Sequence, residues 1–305
     1  MTNHHHVTAR PSAGDHDLLR MYDLAAAARA DALHVADLPW RLSSPSARVP
    51  ERTQLWEDAS GKLVAWAVLQ FPWLCLDFEV HPDSRSADLE STIFAWACAR
   101  LQAEATGREK SLPFYVSARE GDIARISAIE RAGFARDGWS YLHLIRDLDV
   151  PIPEPESPPG FVVRSLAGER KVDAYVATHR AAFGSTMMTS DWRRATLRGP
   201  WYVPELDLVA IAPDGTLAGF CVIWITPLFA GRREAQVEPV GILPVHQRKG
   251  LSRALLLEGF RRARVLGADL MHVNAESYNA TSRRAYESVG FRTAYESPFF
   301  LRSFG

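Results

Sequence analysis

In the second half of the chain, short apolar runs alternate with one long helical pattern. Asp207–Ile211 and Gly219–Ile225 read as consecutive strands joined by a turn at Pro213-Asp214-Gly215. Val237–Leu243 reads as a third strand. Pro239 lies inside it and has no N–H for a ladder, which predicts an edge position or a bulge. From Leu251 the period becomes helical, with Leu256, Phe260 and Ala263 at i, i+4 and i+7, and ends near Gly267. Leu270–Ala275 is a fourth strand, Thr281–Ser288 a short helix stopped by Gly290, and Phe291 opens a last extended stretch. Glu169–Phe183 predicts a helix ahead of them all.

The first half carries a fainter copy of this pattern. With a constant offset of 157, Ala118, Ala128, Glu130, Gly133 and Phe134 fall on Ala275, Ala285, Glu287, Gly290 and Phe291. Further upstream, Gly61–Val68 resembles Gly215–Val222, a turn glycine opening an apolar strand in both. Between the halves, Pro151–Gly160 holds five of the 19 prolines and predicts a stiff, extended spacer. The expected organisation is a tandem repeat of one α/β domain, a mixed central sheet flanked by helices. Its parts are a first domain at 1–150, a proline-rich linker at 151–159 and a second domain at 160–305.

Composition is that of an ordinary folded chain, 305 residues with 47% hydrophobic and 23% charged positions. The longest charge-free stretches, Leu63–Leu76 and Gly215–Gly231, are 14 and 17 residues and each is broken by proline. Both fall short of the ~20 residues that span a bilayer, and the polar N-terminus has no apolar signal core. The three cysteines have neither pairing nor metal spacing, so a cytoplasmic setting without a bound metal is expected. The histidines at 4–6 read as a tail outside the fold. Net charge is uneven: 16 Lys+Arg against 21 Asp+Glu in 1–150, and 19 against 15 in 151–305. A mildly basic second half suits a polyanionic ligand, although neither half is basic enough to predict a nucleic-acid partner.

The segment most informative about chemistry is Val240-Gly241-Ile242-Leu243-Pro244-Val245-His246-Gln247-Arg248-Lys249-Gly250-Leu251-Ser252-Arg253. A strand ends in a short loop that opens a long helix, which aims free backbone N–H groups at one place and suits a pyrophosphate. Gly250 lets the backbone come close, while Arg248, Lys249 and Arg253 add positive charge. The spacing fits neither the phosphate loop of nucleotide hydrolases nor the three-glycine dinucleotide fingerprint. An ordinary strand-to-helix turn with a solvated basic run remains the plainer alternative.

Here the sequence resembles the GCN5-related N-acetyltransferase (GNAT) superfamily. Gln247-Arg248-Lys249-Gly250-Leu251-Ser252 matches its acetyl-CoA motif, with Ser252 in place of the usual Gly or Ala. Asn279, Tyr286, Gly290 and Phe291 match its later motif. Glu238-Pro239-Val240-Gly241 resembles a variant common in actinobacterial acetyltransferases. The resemblance covers 160–305 and, more faintly, 50–148. It implies acetyl-CoA as acyl donor and a small-molecule amine as acceptor. Val240, Gly241 and Ile242 would line the pantetheine arm, and Gln247 to Arg253 the phosphates. Tyr286 would be the acid that protonates the leaving thiolate. Asn279 would touch the cofactor arm or serve as a helix N-cap. Glu238 is the first candidate base, with Glu234, Glu276 or a water chain as alternatives, and His246 is a spectator. Phe183, Met187, Met188, Trp192, Trp201, Tyr202 and Trp224 would line an acceptor pocket or fill a core. A protein N-terminus or lysine is the alternative acceptor, and a CoA-binding sensor the alternative without turnover. Setting Pro82 against Pro244 puts Asp88 and Glu90 opposite Gly250 and Ser252, and the repeat puts Ile129 opposite Tyr286. The first domain is therefore expected to bind no cofactor. Oligomeric state is not legible.

Overall fold

The structure, a computed structural model, describes residues 7–28, 35–166, 168–228 and 231–305, with Glu169 in its backbone only. The histidines at 4–6 lie outside the described residues. In chain order the elements are β1 (Thr8–Pro11), α1 (Asp15–Ala28), α2 (Leu38–Leu42), β2 (Thr53–Glu57), β3 (Leu63–Gln70), β4 (Cys75–Val80), α3 (Ala87–Ala105), β5 (Leu112–Ser117), α4 (Ile123–Arg131) and β6 (Ala135–Asp147). There follow β7 (Val162–Ser165), α5 (Val172–Phe183), α6 (Ser190–Arg198), β8 (Asp207–Ile211), β9 (Leu217–Ile225), β10 (Glu234–Ile242), α7 (Leu251–Val265), β11 (Leu270–Glu276), α8 (Ala280–Glu287) and β12 (Arg292–Phe304). The strand at Pro239 is an interior one, flanked by β9 and β11, so of the two expected alternatives, an edge or a bulge, it is the irregularity that is present.

The chain forms two compact units, one of 1–141 with 295–305 and one of 142–294, and the division does not fall at the prolines. The reason is where the last strand of each half finds its partner. From Phe299 to Phe304, β12 pairs antiparallel with β5, and Phe300 and Phe304 join the core of the first unit. The half of β6 from Leu142 places Leu142 and Leu144 in the core of the second. The Leu148 N–H then bonds the Asp269 carbonyl at 2.9 Å, and Ile152 packs on that core. The stretch expected to be a linker is thus part of the second unit.

The first unit has strand order β1-β2-β3-β4-β5-β12, and the second β7-β8-β9-β10-β11-β6. In each, a parallel pair interrupts the meander: β4 with β5, and β10 with β11. In the second unit α7 covers one sheet face so closely that a Cβ on Gly259 would lie 2.3 Å from Ile223 Cδ1. On the opposite face, Tyr175 and His179 of α5 pack on Phe220 with ring centroids 5.0 and 5.4 Å away. The helix corners repeat in detail. The Gly133 and Phe134 N–H groups bond Glu130 and Ile129 carbonyls at 2.9 and 3.3 Å, and those of Gly290 and Phe291 bond Glu287 and Tyr286 at 3.0 and 3.2 Å. Both are Schellman ends whose glycines sit at φ +84° and +93°. Among the described residues no helix is long and apolar enough to cross a membrane.

If the C-terminal strand completes the first unit, Phe300→Ala, at a fully buried position, should lower stability by about 3–5 kcal/mol in urea unfolding. A loss below about 1 kcal/mol would show that β12 is dispensable there.

Candidate active site

The site is opened by two strands that part. β10 runs parallel to β11 only where Glu234, Ala235 and Gln236 lie opposite Leu270, Met271 and His272. Against β9 it pairs on both sides of an irregularity between Val237 and Val240. Glu238 and Pro239 occupy that irregularity, joined by a cis peptide bond. Past it, the Leu243 N–H bonds the Ala218 carbonyl at 2.9 Å, and Gly241 lies opposite Phe220 in the same register. Antiparallel alternation then turns the N–H and C=O groups of Val240 and Ile242 away from β9, to the side β11 has left. The Ile242 carbonyl accepts from the Gln247 side chain at 3.3 Å. Gly241 also has a packing task. A Cβ there would lie 2.5 Å from Phe220 Cζ and 3.2 Å from Ala182 Cβ, so its lack of a side chain serves the packing of α5.

Beyond β10, a single turn at Pro244–His246 leads to Arg248 and Gly250, both left-handed at φ +60° and +87°. Gly250 caps α7 without any side-chain bond, and the first helical bond runs from the Ala254 N–H to the Gly250 carbonyl at 3.0 Å. The N–H groups of Leu251, Ser252 and Arg253 therefore have no partner within the helix and carry its positive end. Gln247, Arg248, Lys249 and Gly250 are exposed around them. Leu251 is a core residue and offers only its backbone. The Arg253 guanidinium donates to the Ser288 carbonyl at the end of α8, which ties it to the protein and not solely to an anion. His246 packs edge-on against Phe161 at 5.4 Å.

Tyr286, on α8, has 9% of its surface exposed and its ring edge against Phe291 at 5.8 Å. Burial raises its pKa far above the ordinary phenol, and the charges of Glu238, Cys221 and Glu276 push the same way. It is consequently a protonated donor at neutral pH. The Glu238 backbone carbonyl accepts from Trp224 Nε1 at 2.6 Å, and the carboxylate's charge is felt by Tyr175 as well as Tyr286. Glu234 lies where the strands are still joined, with its carboxylate 3.2 Å from His272 Nε2. Asn279 is the N-cap of α8: its Oδ1 accepts from the Ser282 N–H at 3.1 Å and its Nδ2 donates to Glu276 at 3.3 Å. Of its two expected roles, the cap is the one this geometry displays.

The expected aromatic set divides. Met188, Trp192 and Trp224 are buried core, whereas Phe183 and Met187 are exposed. The Tyr202 hydroxyl donates to Asp207 Oδ2 at 2.6 Å, and Asp207 pairs with Arg193, both of them fully buried. The Arg193 guanidinium in turn lies 3.8 Å over the Tyr175 ring. Sequence reasoning missed this group, because a helical Arg and a strand Asp 14 residues apart carry no pattern of their own. It also passed over Gln236, fully buried at the last joined position of β10, whose amide atoms have no protein partner among the described residues.

The first unit has the same opening with different contents. β4 and β5 share a single register position, Cys75 with Tyr115. The start of α3, however, is closed from within. Ser86 caps it by accepting from the Leu89 N–H at 3.2 Å. Glu90, 2% exposed, pairs with Arg85 at 3.1 Å and Arg125 at 3.2 Å, and Arg85 also holds Asp122.

Comparisons with known proteins bear on the family and the fold. Residues 173–291 match the model of the acetyltransferase (GNAT) family. A mycothiol acetyltransferase of Thermobispora bispora is 32% identical over 56% of this chain and 60% of its own length. Another, of Saccharopolyspora erythraea, is 29% identical over 77% of this chain and 75% of its own. The fold matches that of a GCN5-related N-acetyltransferase from Sphaerobacter thermophilus, with TM-score 0.68 at 20% identity, covering 97% of this chain and 95% of that one. It also matches a tandem GNAT protein from the clavulanic acid biosynthesis pathway, with TM-score 0.66 at 16% identity, covering 98% and 99%. The GNAT family takes its acetyl group from acetyl-CoA.

Calorimetric titration with acetyl-CoA should give one site per chain, and two equivalent sites would contradict the closed loop of the first unit. Gly250→Glu should abolish that binding while far-ultraviolet circular dichroism stays unchanged, since open space faces its Cβ position and the left-handed φ of +87° adds a strain of only about 1–2 kcal/mol. Wild-type affinity in this variant would move the donor site elsewhere.

Proposed function

Because residues 173–291 form a domain of the GNAT acetyltransferase family, we propose that the protein is an acetyl-CoA-dependent N-acetyltransferase acting on the primary amine of a small molecule. The observation that carries this reading is the gap between β10 and β11. It is lined on one side by backbone that β11 no longer pairs, leads into the uncapped start of α7, and has Glu238 beside it, whose charge is felt by Tyr286. In the proposed arrangement, Val240 and Ile242 pair with the pantetheine arm. The N–H groups of Leu251, Ser252 and Arg253, with Gln247, Arg248 and Lys249, surround the pyrophosphate.

The chemistry is a direct displacement. The amine nitrogen bonds the thioester carbonyl carbon and the C–S bond breaks. Glu238 accepts the proton the amine loses, and the Tyr286 hydroxyl gives one to the departing thiolate, leaving an amide and a free thiol. A small-molecule acceptor is supported by the relatives named mycothiol acetyltransferase, and the tandem layout resembles that of mycothiol synthase. A reducing, cytoplasmic setting suits the three cysteines, all free.

Tyr286→Phe should lower turnover roughly 10- to 10⁴-fold while acetyl-CoA affinity stays within a few-fold. Thiol release with a panel of small amines checks it. Binding without thiol release from any amine would favour a sensor, and release only with peptides a protein acceptor.

A further inference from the structure

We infer that Arg146 is a positioning residue for Tyr286, an inference that rests on the acid role proposed above. Helix α8 has only eight residues, and the Schellman end that closes it leaves the Val289 carbonyl, one residue past the C-cap Ser288, outside the helical bonds. Arg146 holds that carbonyl. It is 4% exposed, and its Nε donates to the Val289 carbonyl at 2.8 Å. Each of its other two nitrogens also donates, Nη1 to the Asp147 carbonyl and Nη2 to the Pro151 carbonyl, both at 3.0 Å. The planar guanidinium therefore links the end of α8 to the end of β6 and to the start of the proline-rich stretch, a geometry one ammonium cannot reproduce.

Packing completes the link. The Arg146 guanidinium lies 5.3 Å from the Phe260 ring, Phe260 meets Phe291 edge-on at 5.5 Å, and Phe291 meets Tyr286 at 5.8 Å. The Phe291 N–H holds the Tyr286 carbonyl at 3.2 Å. Gly290 allows the approach, since a Cβ there would stand 3.0 Å from Arg146 Nε. Arg253 holds the neighbouring carbonyl, Ser288, from the first turn of α7. The backbone that carries Tyr286 is thus fixed at its C-terminal end by two arginines.

The first unit contains its own control. Arg302 of β12 donates to the Ala132 carbonyl, and a Cβ on Gly133 would lie 3.1 Å from its Nη1. The corner is the same, but Ile129 stands where Tyr286 does in the second unit.

The test compares Arg146→Lys with Arg302→Lys, each also built on Tyr286→Phe. Arg146→Lys should lower kcat roughly 10- to 100-fold with the KM for acetyl-CoA within about twofold, as expected for a misplaced catalytic group. It should have no further effect on Tyr286→Phe, and Arg302→Lys should leave kcat unchanged at a similar loss of Tm. Equal falls in kcat from both arginines, or an equal fall on Tyr286→Phe, would make Arg146 merely structural and overturn the inference. Should Arg146→Lys not fold, Gly290→Ala, which presses on the same guanidinium, should give the same kcat signature; an unchanged kcat overturns the inference. If Tyr286→Phe is itself as fast as wild type, the acid assignment fails first and takes the inference with it.

Discussion

The parting of β10 from β11 after Gln236 and His272 is the constraint on which the site depends. A sheet edge interior to the fold normally satisfies its backbone groups with a neighbouring strand. Here Pro239 has no N–H to contribute, and the register irregularity around it re-aims the strand beyond. The Val240 N–H and C=O and the Ile242 N–H then face the side β11 has left, in the alternation set by β9, while the Ile242 carbonyl is held by the Gln247 side chain. Such edges invite an extended, hydrogen-bonding guest, and a pantetheine arm with its amides is one. The same irregularity puts Glu238 at the rim of the opening and leads the chain into the loop that begins α7. In the proposed arrangement, one departure from regular pairing thus brings the arm, the phosphates and the base to one place.

Burial then sorts the titratable groups by role. A phenol in apolar surroundings beside carboxylates keeps its proton, so Tyr286 stays a neutral hydrogen-bond donor throughout the physiological range. His179, by contrast, is pushed down to about 4 by burial, with the Arg193 charge adding to it. It is neutral throughout the physiological range, stacked on Phe220, and contributes to packing only. The carboxylates differ as well. Glu234 faces a histidine across joined strands and Glu276 holds the cap residue of α8, which leaves Glu238 as the carboxylate placed at the irregularity itself.

Local signals in the sequence were sufficient for the loop and for most elements. The expected strand at 207–211 matches β8 at both ends, and the helix from Leu251 begins where Gly250 turns left-handed. Those features are set by turn chemistry and periodicity within a dozen residues. The division of the chain was not legible, because a proline-rich stretch reads as a spacer whether or not arginine carbonyl contacts and Ile152 hold it to a core. Nor was the destination of β12, since a strand's own alternation says which face it buries and nothing about which sheet receives it. Gly241 and Asn279 show a related limit. Each belongs to a recognisable motif, yet the neighbour that explains it, Ala182 or Ser282, is known only once the chain has folded.

The two units show how the site separates from the scaffold. Both have the parallel pair that parts, the Schellman corner, the glycine and the arginine that closes over it. The scaffold therefore does not require a ligand in the gap. What distinguishes the units is the treatment of the helix start that follows the parting strand. In the second, Gly250 gives no side-chain cap, so backbone N–H groups and exposed cations remain for an anion. In the first, Ser86 caps the helix and Glu90 brings a carboxylate to its first turn, neutralised by Arg85 and Arg125. A buried carboxylate held by two arginines satisfies the same positive field that a pyrophosphate would, and a second anion there would meet like charge at close range. Internal substitution of the ligand's charge, more than any loss of fold, is what sets the first unit apart.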